Sequence, residues 1–129
     1  MEPRVLILDE PTAGLDPKGR DMILEQIRAY KEENDTTVLL VSHSMEDIAR
    51  YARKVLVLNR SGVAMYDDVA KVFSRAEEIT RMGLSVPQVT RIFMGLREEG
   101  FPVSESVYTM DYAREELLSL LGKGAGNHA

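Results

Sequence analysis

The stretch Val5-Leu6-Ile7-Leu8-Asp9-Glu10-Pro11 narrows the possible folds more than any other part of the chain. A continuous apolar run ends abruptly in two adjacent carboxylates and a proline. Such a run is the pattern of a parallel strand covered on both faces. In open α/β sheets, ligands sit at the carboxyl ends of these strands. A second β-branched, apolar run, Thr37-Val38-Leu39-Leu40-Val41, supplies a partner strand. Between the two, Asp16-Pro17 opens a helix, because aspartate suits the N-cap and proline at the first helical position loses no hydrogen bond. Met22, Ile23, Ile27 and Tyr30 give that helix an apolar stripe, and Asn34-Asp35 ends it. Strand, helix and strand in this order make a right-handed βαβ unit.

The pattern continues and then changes. Ser44 to Asp47 fits a capping box, with Ser44 at the N-cap, and opens a short helix to about Ala52. Val55–Leu58 and Val63–Tyr66 flank the turn residues Asn59-Arg60-Ser61-Gly62, which predicts a hairpin. After Asp67 the apolar spacing is helical through Val69, Val72, Phe73, Ile79 and Met82. Ser85 to Gln88 reads as a second capping box, for a helix ending at Gly100. Thr109 starts a last helix through Leu121. The reading is thus α/β, with residues 1–66 as a βαβ-rich part, 67–121 as a helical appendix and 122–129 as a flexible tail.

Composition excludes several classes. The 129 residues carry 44% hydrophobic and 29% charged side chains, the values of a globular domain. A formal net charge of −5 argues against nucleic acid as a partner. The absence of cysteine removes disulfides, zinc–thiolate clusters and a thiol nucleophile. No apolar run approaches the ~20 residues of a membrane-spanning helix, so any membrane association must come through a partner. The methionines read as core filler. Arg81, Arg91 and Arg97 read as a solvated helix surface.

Asp9 and Glu10 are neighbours in an extended segment, so their side chains diverge. A magnesium ion held by nucleotide phosphates needs one or two carboxylates and keeps several waters. Asp9 is the candidate for that contact, through water. Glu10 is the candidate general base, polarising a water that attacks the terminal phosphate. His43 follows the second strand directly. Its imidazole can donate to a phosphate oxygen from one nitrogen and accept at the other. His128 is assigned no role.

Leu6-Ile7-Leu8-Asp9-Glu10-Pro11 resembles the Walker B strand of ATP-binding-cassette ATPases, which implies for this chain a partial P-loop nucleotide-hydrolase (RecA-like) core with a mostly parallel sheet, lacking the phosphate-loop strand. Ala13-Gly14-Leu15-Asp16 resembles their D-loop, and Val41-Ser42-His43 their switch-histidine loop. The resemblance implies Asp9 as the magnesium aspartate, Glu10 as the catalytic base and His43 as the γ-phosphate contact. It implies Asp16 as a D-loop contact to the opposite subunit, with ATP and Mg2+ as cofactors of the complete protein. Ser42 to Asp47, Gly83 to Thr90 and Leu96 to Pro102 are similar to energy-coupling factor ATPases, which drive uptake of vitamins and of cobalt or nickel ions. That similarity implies a peripheral protein on the cytoplasmic face of the membrane. It implies a second ATPase subunit, paired partly through the C-terminal helices, and a transmembrane coupling subunit. The alternatives are the ATPase of another importer class, and a non-catalytic interaction module.

The chain departs from the family pattern in one large respect. No Gly-x-x-x-x-Gly-Lys-[Ser/Thr] occurs in it, and neither the Q-loop glutamine nor the Leu-Ser-Gly-Gly-Gln signature is present. The phosphate-cradling amides and lysine are therefore missing. The chain resembles the C-terminal half of a cassette ATPase, with Met1 resembling an internal methionine. The expectation is an isolated chain that is poorly folded or self-associating, through strand edges left open, and that cannot hydrolyse ATP.

Overall fold

The computed structural model describes residues 4–126. The chain packs as two compact units, Met1–Tyr51 and Ala52–Ala129. The first is a βαβ unit closed by a short helix: β1 (Val5–Asp9), α1 (Pro17–Asn34), β2 (Thr37–Val41) and α2 (Met45–Tyr51). The two strands pair in parallel, with Val5 beside Thr37 and Asp9 beside Val41. Both therefore end at one edge, and the turns after Asp9 and after Val41 leave the sheet side by side.

The ends of α1 form as the residue types require. Asp16 takes an extended backbone, and its carboxylate accepts the Gly19 N–H at 2.9 Å. Asp35 closes the helix in the left-handed region (φ 47°), with its N–H directed to the Lys31 carbonyl. Asp16→Ala is expected to cost about 1 kcal/mol of stability, whereas Asp16→Asn keeps the cap. Urea midpoints check this, and equal midpoints for wild type and Asp16→Ala would show that the cap contributes nothing.

Burial corrects two expectations for this unit. The strands are not covered on both faces. Val5 and Ile7 are 55% and 64% exposed, and Leu39 and Val41 are also open. Leu6, Leu8, Val38 and Leu40, on the opposite face, are half-buried. A parallel sheet is normally covered by helices on both sides, and here one face of the ladder lacks that cover. On α1, Met22 is exposed and Leu24 is the fully buried residue.

The second unit begins with an antiparallel hairpin, β3 (Lys54–Asn59) and β4 (Gly62–Asp68). Arg60 and Ser61 both take positive φ, the conformation of a two-residue turn matched to strand twist. A register shift after Val57 pairs Leu58 with Val63. Val55, Val57 and Met65 are buried, while Leu56, Leu58, Val63 and Tyr66 are exposed. The parallel ladder of β1 and β2 does not extend to this hairpin. The sequence changes character near residue 67, but the packing divides the chain before β3. The hairpin is tied directly to the helical segment, with the Val69 N–H donating to the Arg53 carbonyl at 3.0 Å.

Four helices complete the unit: α3 (Val69–Ser74), α4 (Ala76–Arg81), α5 (Gln88–Glu98) and α6 (Met110–Gly126). Arg75 breaks the first stretch into two helices. The core of the unit is Val72, Phe73, Ile79, Val86, Phe93, Val103 and Val107, with the Phe73 ring stacked on Tyr108. Pro87, not Ser85, stands at the N-cap of α5 and makes no side-chain cap bond. Proline disfavours helical backbone in the residue before it, so Val86 cannot join the helix. Thr109 does cap α6, its Oγ1 accepting the Tyr112 N–H at 3.2 Å. The helix runs on to Gly126, past the expected end at Leu121. Residues 127–129, with His128, lie outside the described residues. Met110 and Met22 are exposed, so only some methionines, such as Met65, fill core. Arg75, Arg81 and Arg97 pair with Glu78, Glu77 and Glu105 on an exposed surface.

Candidate functional site

The chain reverses direction at Glu10. This residue holds a left-handed backbone (φ 47°), uncommon for a side chain other than glycine, asparagine or aspartate. Its N–H donates to the Val41 carbonyl at 2.8 Å, and its carbonyl accepts the Ala13 N–H at 3.1 Å. The turn is thereby pinned to the end of β2, two residues before His43. Glu10 Oε1 lies 3.5 Å from His43 Nε2. The imidazole is almost fully exposed, at 97%, while the carboxyl is two-thirds covered, at 33% exposure. Oε1 itself is buried and makes no hydrogen bond. A buried acceptor with nothing to accept calls for an explanation, and a catalytic role is one of the ordinary ones.

Asp9 ends β1 on the exposed face, beside Val41. Among the described residues no group of three or more histidine, aspartate or glutamate side chains could hold a metal ion alone. A cation here would need oxygens from a bound phosphate and from water. Magnesium fits that donor set, because it keeps its waters and takes one or two carboxylates. Asp16 is occupied with capping α1. The structure thus brings Glu10 and His43 together, sets Asp9 at the same strand edge, and places Asp16 one turn further along the chain.

Behind this edge lies a polar cluster that the residue pattern does not single out. Asp47 is buried, at 6% exposure. Its Oδ2 accepts from Arg20 Nη2 at 2.6 Å and from Thr12 Oγ1 at 3.4 Å. The same Arg20 nitrogen donates to Ser44 Oγ at 2.5 Å. The Asp47 hydrogen bond and charge hold the Arg20 guanidinium above its already high range. The first capping box is therefore only half made. Ser44 Oγ accepts the Asp47 N–H at 3.3 Å, but the Asp47 carboxylate turns to Arg20 rather than back to Ser44. The Ser44 N–H donates to Ser42 Oγ at 3.0 Å. Helix α2 is tied to α1 further along by Arg50–Asp21 and by the Tyr51 hydroxyl donating to Glu25 at 3.0 Å. Burial, then that carboxylate, raises the Tyr51 phenol above its usual value. The sequence signal for the cluster is an arginine one turn into α1 and an acid one turn into α2. Only three dimensions show that they meet.

The chain is similar to several known proteins. A family model described as an AAA domain, with the AbiEii toxin and Type IV TA system in the same description, matches residues 1–48, the span that contains every residue of the edge and its cluster. The energy-coupling factor transporter ATP-binding protein EcfA2 of Clostridium perfringens is 50% identical over 121 residues, 94% of this chain and 42% of the relative. EcfA2 of Clostridium tetani is 46% identical over 98% of this chain and 44% of the relative. In structure, CbiO1 from Clostridium perfringens, part of the ABC transporter complex CbiONQ, aligns with a TM-score of 0.55. It is 32% identical and covered to 37%, by 74% of this chain.

In structure the chain shares part of the α/β fold of an ATP-binding-cassette transporter protein. In sequence it is similar to the energy-coupling factor ATP-binding proteins. It spans less than half the length of the curated relatives it matches.

Proposed function

We propose that this chain supplies the hydrolytic edge of an ATP-hydrolysing subunit in an energy-coupling factor importer for vitamins or metal ions. The observation that carries the reading is the Glu10–His43 pair, in which the buried Glu10 Oε1 lies 3.5 Å from His43 Nε2 and makes no hydrogen bond. Glu10 accepts the proton of the attacking water, and His43 donates to the terminal phosphate. Asp9 meets the magnesium ion through water. When bound, that ion neutralises charge on the transferred phosphoryl group. The partners are a second ATPase subunit and a transmembrane coupling subunit, and the site of work is the cytoplasmic face of the membrane. No helix among the described residues is long and apolar enough to cross a bilayer, in keeping with attachment through a partner. Pairing through the last helix is supported by the exposed Leu117, Leu118 and Leu121.

The test is a chimaera in which this chain replaces the matching segment of the Clostridium perfringens EcfA2. The expected result is magnesium-dependent ATP hydrolysis by the chimaera and none by the 129-residue chain alone. Positioning supplies most of phosphoryl-transfer catalysis, and the chain has no phosphate loop to provide it. A chimaera that folds and binds ATP without hydrolysing it would overturn the reading, as would hydrolysis by the chain alone.

A further inference from the structure

Glu10 and His43 stand on separate turns, each with hydrogen bonds of its own. Backbone bonding fixes one side of the arrangement, through Glu10 N–H and the Val41 carbonyl. The other side is held by side chains. Thr12 lies two residues beyond Glu10, Ser44 one residue beyond His43, and both reach the same pair, Arg20 and Asp47.

We infer that Asp47 and Arg20 form a clamp that sets the distance between Glu10 and His43, with Thr12 and Ser44 as its two grips. This inference rests on the proposed roles of Glu10 and His43 and adds positioning residues to them. Three features of the geometry support it. Asp47 is too buried to be a solvated surface charge, and its only charged partner in these contacts is Arg20. A single guanidinium nitrogen serves both Asp47 and Ser44, so the pair cannot shift without moving the His43 turn. A single carboxylate oxygen serves both Arg20 and Thr12, so it cannot shift without moving the Glu10 turn. Lysine is not equivalent here, because its ammonium is a strongly hydrated point charge on a flexible stem and is held less firmly between the two acceptors. Low dielectric strengthens such a network when every member is paired and penalises it when one is lost.

The test uses the full chain and the imidazole signals in a carbon–proton NMR spectrum. The chain has two histidines, so two signals suffice for assignment, with His43→Ala marking one of them. The reference position is that of the same signal in concentrated urea. In the wild-type chain the His43 signal is expected away from that position, because Glu10 Oε1 lies 3.5 Å from Nε2. Asp47→Asn, Arg20→Lys and Thr12→Val are each expected to move it at least half of the way back, with the amide signals of β1 and β2 in place. Thr12→Ser is expected to restore it. A purely structural cluster would shift the unfolding midpoint and leave the His43 signal where it was. That result overturns the clamp. So does a wild-type His43 signal at its urea position, or a Thr12→Val spectrum identical to wild type. No nucleotide enters this experiment. Failure here leaves the hydrolytic reading to the chimaera, and an inactive chimaera leaves the clamp to the spectrum.

Discussion

Glu10→Gln in the chimaera is expected to lower ATP turnover by about a hundredfold or more while leaving ATP binding within a few-fold of the parent. A positioned general base typically contributes on the order of 10² to 10⁴ in rate. The substitution keeps the size of the side chain and removes only its capacity to take a proton. It also leaves the backbone constraint untouched, because the Val41 carbonyl holds the N–H of residue 10 whatever its side chain. His43→Ala acts at the other end of the reaction, on the phosphate, and is expected to reduce turnover as well. Asp9→Asn differs from both: its loss is expected to be eased by raising the magnesium concentration, since one ligand of several is weakened. Equal turnover in the Glu10→Gln chimaera and its parent would show that some other group takes the proton. The partial exposure of Glu10 is no obstacle, since the unpartnered oxygen is the covered one.

The sequence carried the local chemistry further than the long-range packing. The βαβ unit, the Asp16 cap, the hairpin and the Thr109 cap follow from nearest-neighbour rules, and each forms. Glu10 and His43 were readable as a pair because parallel strands of equal length end at one edge. The N-cap of α5 falls at Pro87 and not at Ser85 for a reason equally local, the backbone restriction that Pro87 imposes on Val86. What could not be read was partner choice. Asp47 has the right spacing to cap α2, and nothing in the order of residues says that Arg20 offers it a better contact. Nor does an apolar run say whether both of its faces are covered within one unit. Val5, Ile7, Leu39 and Val41 have the composition of a buried strand and the exposure of a surface one.

In the second unit the largest loss is expected from Phe93→Ala. The ring is 3% exposed and packs with Val103, Val107 and Ala113, bordered by Val89, Leu96, Tyr112 and Leu120. That cluster joins α5, the segment after it and α6, which polar contacts also tie together. One of them is Thr90 Oγ1 donating to the Val107 carbonyl at 2.8 Å, itself buried beside the cluster. Truncating a fully buried phenylalanine to alanine costs about 3–5 kcal/mol, because the lost transfer energy is joined by a cavity that relaxes only in part. Small domains are stable by about 5–15 kcal/mol, so α5 and α6 are expected to lose their amide protection first and at low urea. The neighbouring Ile92→Ala makes the internal control. Ile92 lies on the same helix and is 54% exposed, so its truncation is expected to change stability by about 0.5 kcal/mol or less. Hydrogen exchange read at α5 and α6 separates the two variants. Similar protection in both would mean that the core of this unit is not where burial places it, and with it the support for pairing through α6 would fall.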